Sequence, residues 1–163
     1  MGSLTINLIL KMTATEKNLK IIGRLEQINF PEWDLFGIDA KIDTGAYTSS
    51  LHCHHIKPIQ KGDSEYVRFN LLDPSHDTYN DKLFELPVHR KKVVKSSNGS
   101  REERFVVKTK VQLSELILTA ELSLTDRSEM RYPVLVGRKM INGRFLVDVS
   151  QKYLSKNQIK EQT

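Results

Sequence analysis

Asp43-Thr44-Gly45-Ala46 sets a carboxylate beside a hydroxyl and a glycine, a combination able to hold an acid or base in one orientation. In the segment before it, Ile38, Ala40 and Ile42 alternate with Asp39, Lys41 and Asp43. A strand with this pattern buries the three apolar residues on one face and ends at Asp43. The following residues suit a tight turn, because glycine tolerates backbone angles that other residues avoid and the threonine hydroxyl can bond nearby backbone.

The elements that must position this turn are also strands. Val67, Phe69 and Leu71 alternate with polar residues, as do Phe105, Val107, Thr109, Val111 and Leu113, and then Leu116, Leu118, Ala120, Leu122 and Leu124. Pro133-Val134-Leu135-Val136 reads as a strand buried on both faces, and Phe145, Val147 and Val149 as a further short one. Helix is predicted only over Arg138 to Ile141 and in the tail after Ser150. Asn98-Gly99, between Lys92-Val93-Val94 and Phe105-Val106-Val107, is a hairpin signal, and its polar flanks predict a hairpin that projects from the body. Asp73 to Asp81 reads as a polar loop between strands. The expected class is all-β, a compact barrel or sandwich.

A chain of 163 residues fits one domain with a core large enough to need no disulfide. Cys53 is its only cysteine, which excludes an intrachain disulfide and fits a reducing compartment. The stretch Leu4 to Leu10 is interrupted by Thr5 and Asn7 and resembles neither a signal peptide nor a membrane span, so the chain is expected to be soluble and cytoplasmic, with no membrane partner. The net charge is +5, and residues 89 to 110 carry eight basic against two acidic side chains. Such a block is most often a solvated face, and it would also favour an anionic partner. Only Phe105 interleaves with the charges, so nucleic acid is not expected.

With Asp43-Thr44-Gly45-Ala46, a hairpin some fifty residues later and Val134-Leu135-Val136-Gly137-Arg138 near the end, the order of parts resembles the retropepsin-like aspartic proteases. The longer strings around Lys41 to His52, Arg90 to Gly99 and Leu124 to Arg138 look like a bacterial group carrying an ATP-dependent zinc protease label and associated with ATP-grasp ligases that add glutamates to a ribosomal protein. The resemblance implies a closed acid-protease β-barrel over residues 21–154, with one short helix after the Gly-Arg motif, a flexible segment at 1–20 and a polar tail at 155–163. It also implies a catalytic Asp43, supported by Thr44 and Gly45, and a flap over the substrate. Ala46, Lys92, Lys95, Ser96, Ser97, Asn98, Gly99, Arg101 and Arg104 would then face substrate, and Gly137 and Arg138 would brace the active-site loop. The acidic residue that viral relatives carry four positions after the aspartate is Tyr47 here, which removes its ion pair with the arginine.

Aspartic proteolysis needs two carboxylates sharing one proton. The chain has one Asp-Thr-Gly and no Asp-Ser-Gly, so this reading predicts a homodimer with two Asp43 side chains at the axis. The basic residues on and beside the flap suit a peptide or protein substrate that is acidic, even glutamate-rich. The alternatives are a non-catalytic peptide-binding module partnering a ligase, or a metal-dependent peptidase. No His-Glu-x-x-His is present, His52-Cys53-His54-His55 has no recognised ligand spacing, and Asp73, His76, Asp77 and Asp81 could gather a cation but read first as a polar loop, so neither metal nor cofactor is expected. Cys53 is poorly placed for activation by its neighbours, since adjacent strand residues point to opposite faces.

Overall fold

The computed structural model describes residues 18–77, 79–95, 98–126 and 131–156. They form eleven strands and one α-helix. The strands are β1 (Lys20–Gly23), β2 (Leu25–Phe30), β3 (Leu35–Ile42), β4 (Ser49–Lys61), β5 (Ser64–Leu71), β6 (Leu83–Pro87), β7 (Arg90–Lys95), β8 (Arg101–Leu113), β9 (Leu116–Thr125), β10 (Val134–Val136) and β11 (Phe145–Asp148), and the helix α1 is Arg138–Ile141. The mostly-β expectation and the single short helix hold.

Alternation explains the pairing. Ile38, Ala40 and Ile42 of β3 are buried while Lys41 is exposed. Strand β10 joins β3 in parallel and β4 in antiparallel fashion, so the pairing runs as a ring: β10, β3, β2, β8, β9, β4 and back to β10. All three β10 side chains are buried, as a strand with a neighbour on each side and packing on each face requires. Each such side chain contributes roughly 1.5–3 kcal/mol. Strands β5 and β6 extend the sheet beyond β4, β7 pairs β8 as a hairpin, and β1 pairs β11 as a separate parallel ribbon. Phe30 stacks on Trp33 with centroids 4.9 Å apart, and Trp33 meets Phe69 and Phe84, filling the interior below β5 and β6. No helix among the described residues is long and apolar enough to cross a membrane.

Two carboxylates tie elements together. Glu26 is wholly buried and accepts hydrogen bonds from Gly23 N (2.6 Å), Leu154 N (3.1 Å), Ser155 N (3.1 Å) and Ser155 Oγ. Ser155, the first residue of the expected tail, is therefore a buried part of the packed domain. Glu121 on β9 meets Lys139 Nζ at 2.8 Å, Arg90 at 3.2 Å and His89 Nε2 at 3.3 Å, joining the hairpin's root to α1. The Lys139 ammonium foremost, and Arg90 after it, outweigh burial and hold this carboxyl at about 2, below its ordinary 4.5.

Replacing Glu26 by Ala leaves three N–H donors, two of them buried, without acceptors and should cost about 3 kcal/mol, read as a lowered urea midpoint. For Glu121 the folded value lies below the unfolded one. Its stabilisation is therefore full above about pH 4.5 and is lost as pH falls through 2. Glu121→Gln should cost on the order of 1 kcal/mol at neutral pH, because solvent screens the partner cations, and the gap from the parent should close in acid. Unfolding curves taken at stepped pH values measure it.

Candidate functional site

Asp43 follows directly on the buried end of β3, and its backbone is pinned there. Its N–H donates to Val136 O at 2.9 Å, while Ala46 N returns to Asp43 O at 3.2 Å and closes the turn. Gly45 N donates to Asp43 Oδ1 at 3.1 Å, which sets the carboxylate's orientation. The glycine's conformational freedom is not what the turn uses, since Gly45 is not among the positive-φ residues. It supplies room instead: a Cβ there would stand 3.3 Å from Asp43 Oδ1. Thr44 and Gly45 are exposed, and Ala46 is half-buried.

Gly137 and Arg138 hold the far side of the loop. Gly137 N donates to Ser49 Oγ at 2.9 Å, Arg138 N to Ala46 O at 2.8 Å, and Lys139 N to Tyr47 O at 3.0 Å. A Cβ on Gly137 would meet Tyr47 O and Thr48 C at 2.8 Å, so only glycine allows the chains to approach this closely. Arg138 has lost its acidic partner yet keeps a role: Nη1 donates to Thr44 O at 2.9 Å, and the guanidinium lies 5.9 Å from the Tyr47 ring centroid. Tyr47 thus offers a ring face where viral relatives offer a carboxylate. Beside this brace an open cleft of about 710 Å³ is lined by Thr44, Tyr47, Arg138, Lys139, Ile141, Asn142 and Arg144. Three of those seven side chains are cationic, and they lie outside the basic block of residues 89 to 110.

The expected hairpin is present. Asn98 Oδ1 accepts from Ser100 N at 3.0 Å, and Gly99 has φ +83°, a left-handed angle that favours glycine. Ser96 and Ser97 lie outside the described residues. The four basic residues assigned to substrate do not form one face. Lys92 pairs with Arg104 and Lys95 with Arg101, and because these pairs are three residues apart along β7 they point to opposite faces. Lys92 and Arg104 share their face with Arg90, and burial, followed by the Arg90 and Arg104 charges, lowers the Lys92 pKa. Arg104 also meets Glu102 at 2.9 Å. The period of two that revealed the hairpin also predicts this division.

The histidine run divides as well. His52 is 1% exposed, with Nε2 at 2.5 Å from Asp73 Oδ2 and Nδ1 at 4.0 Å from Asp126 Oδ1. Asp73 Oδ1 accepts from Ser75 N at 2.8 Å and from Ser75 Oγ. Those Ser75 bonds first, and His52 after them, hold the Asp73 carboxyl well below the usual range. His76 completes a group of three whose ligand atoms all lie within 4.8 Å of one another. Spacing along the chain could not join the two clusters, because the hairpin of β4 and β5 brings residue 52 back to residue 73. Cys53 points into the core, and burial pushes its thiol pKa well up, which removes it as a nucleophile.

Comparison with known proteins places this geometry in a family. One relative, a Desulfotalea psychrophila protein named probable alpha-L-glutamate ligase, is 34% identical over 153 residues, covering 88% of this chain and 33% of that protein. A Shewanella pealeana protein of the same name is 36% identical over 140 residues, covering 83% and 30% respectively. The chain thus spans about a third of the length of these curated relatives. The crystal structure of a protein of unknown function from Legionella pneumophila superposes with a TM-score of 0.68 at 30% identity, covering 83% of this chain and 98% of that one. The family described as retropepsin-like aspartic endopeptidase RimB matches residues 21–158, a span containing the Asp43 loop, the hairpin and the Gly137-Arg138 brace. The chain belongs to this RimB-like, retropepsin-like family.

Proposed function

We propose that the chain is an aspartic-type peptidase whose active site forms across a homodimer, and that it hydrolyses peptide or glutamyl amide bonds in an acidic protein tail. The observation that carries this reading is the Asp43 loop: a carboxylate at a strand end, fixed through Val136 O and Gly45 N and flanked by exposed Thr44 and Gly45. One chain contributes one such carboxylate. A second copy related by a twofold axis supplies the other, and the ring of paired strands serves as the closed barrel that keeps each loop rigid.

The chemistry follows from two acids in close reach. Like charges so near share a single proton and titrate as a unit. The ionised carboxylate takes a proton from water as it attacks the amide carbon, and the protonated one donates a hydrogen bond to the carbonyl oxygen. The tetrahedral intermediate collapses when the amide nitrogen receives a proton and leaves. Thr44 braces one loop against the other, and Gly45 lets them approach. The hairpin bearing Asn98, Gly99, Lys95 and Arg101 covers the bound peptide.

Two features support an acidic substrate. Cations are concentrated on the hairpin and, beside Thr44, at Arg138, Lys139 and Arg144. The curated relatives are named for glutamate ligation, and a peptidase region within about a third of such a chain would act on what the remainder builds. Those names also favour a second reading, a module that holds a glutamate-bearing peptide for a ligase without cutting it.

Asp43→Asn separates the readings, since it keeps the shape and removes the ionisable group. Hydrolysis should fall by roughly 10²–10⁴-fold with peptide binding retained. Activity surviving the change would exclude Asp43 as catalyst. No activity in the parent, with equal peptide binding by both forms, favours the module. Glutamate-tailed peptides should be cleaved faster than neutral ones, with a preference that shrinks as salt is raised, and equal rates would remove the substrate assignment.

A further inference from the structure

His52, three residues into β4, and Asp73 and His76, in the loop between β5 and β6, present two imidazoles and a carboxylate to one small volume. Two features mark the group as more than a buried ion pair. His76 Nδ1 is buried and makes no hydrogen bond, standing 3.5 Å from Asp73 Oδ1. The backbone is also bent to deliver the carboxylate. Leu72 is buried at φ 59°, a left-handed angle that a non-glycine residue seldom adopts, and Leu72 N donates to His52 O at 3.1 Å. That turn brings Asp73 back to His52.

We propose that these three side chains bind a divalent transition-metal ion of the zinc class, which ties β4 to the loop between β5 and β6. Mixed imidazole and carboxylate donors suit such an ion, whereas calcium and magnesium call for oxygen donors. Bond lengths of about 2.0–2.2 Å place tetrahedral ligands about 3.3 Å from one another. Separation of His52 Nε2 and Asp73 Oδ2 by under one ångström from their 2.5 Å contact, together with His76 Nδ1, meets that geometry. Asp126, toward which the other His52 ring nitrogen is turned, orients the imidazole. A cavity of about 360 Å³ borders His76 and is lined also by Asp39, Ser75, Asp77 and Arg131, and a water from it would complete a four-coordinate ion. The expectation of no metal came from spacing along the chain, and this set joins β4 to a loop some twenty residues later.

The role is structural. Asp43 N bonds Val136 O and His52 N bonds Pro133 O, so the two sites lie at opposite ends of β10. Three residues at about 3.3 Å each separate them by roughly 10 Å along the strand. The ion braces the strands that carry the aspartate loop and does not meet the reacting atoms.

The test uses the full chain, free of any affinity tag, loaded with zinc sulfate and desalted. Elemental analysis should find close to one zinc per chain, and the loaded protein should melt several degrees above the chelator-treated form. His76→Ala, at a partly exposed position where folding is expected to survive, should lose both the zinc and the shift, with circular dichroism confirming the fold. His55→Ala, on the exposed histidine nearby, should lose neither. Less than a tenth of an equivalent in the parent, or undiminished zinc in the His76 variant, overturns the proposal. Asp73→Asn provides a second check, and full zinc retention there would overturn it equally.

Discussion

The insertion of β10 between β3 and β4 is the constraint on which the rest depends. Three buried apolar residues hold a strand that pairs on both edges, and without it the ring of strands opens between β3 and β4. Its carbonyls serve the segments on either side: Val136 O receives Asp43 N, and Pro133 O receives His52 N. The aspartate loop and the histidine group are thus held by the two ends of one short segment. A shift in β10 register would disturb both.

This dependence explains why the Gly137-Arg138 motif follows β10 at once. The chain leaves the ring at Val136 and must turn beneath the loop that Asp43 begins. Gly137 permits contact with the backbone of Tyr47 and Thr48, and the next two N–H groups bond Ala46 and Tyr47 carbonyls. The Asp43 carboxylate is therefore oriented by backbone rather than by side chains that could rotate. Tyr47 replaces an acidic residue without loss of the brace, because Arg138 reaches a carbonyl that belongs to every sequence at that position.

The acidic side chains differ by what surrounds them. Glu26 is saturated with backbone donors, Glu121 with cations, and Asp73 with serine and histidine groups, and each joins segments distant in sequence. Asp43 accepts a bond from its own turn and borders exposed residues. A carboxylate so arranged is held in place yet keeps capacity to meet another group.

Alternating hydrophobicity is a local property, and it was enough to locate β3, β5, β8 and β9, while a continuous apolar run marked β10 and the Asn98-Gly99 pair marked the hairpin. The Asp-Thr-Gly and Gly-Arg strings likewise mark their own turns, since a turn's chemistry lies within four residues. Three things were beyond that reach. The division of Lys92 and Arg104 from Lys95 and Arg101 requires the pairing register to be known, although the period of two contains it in principle. The burial of Ser155 depends on Glu26, 129 residues earlier. The union of His52 with Asp73 and His76 depends on a strand pair folding back on itself. The sequence by itself determined the strongly patterned strands and where the carboxylate turn lies, because those follow from neighbours along the chain. Only the tertiary structure decided which polar side chains meet, because contacts between distant segments arise when burial of the apolar faces brings them together.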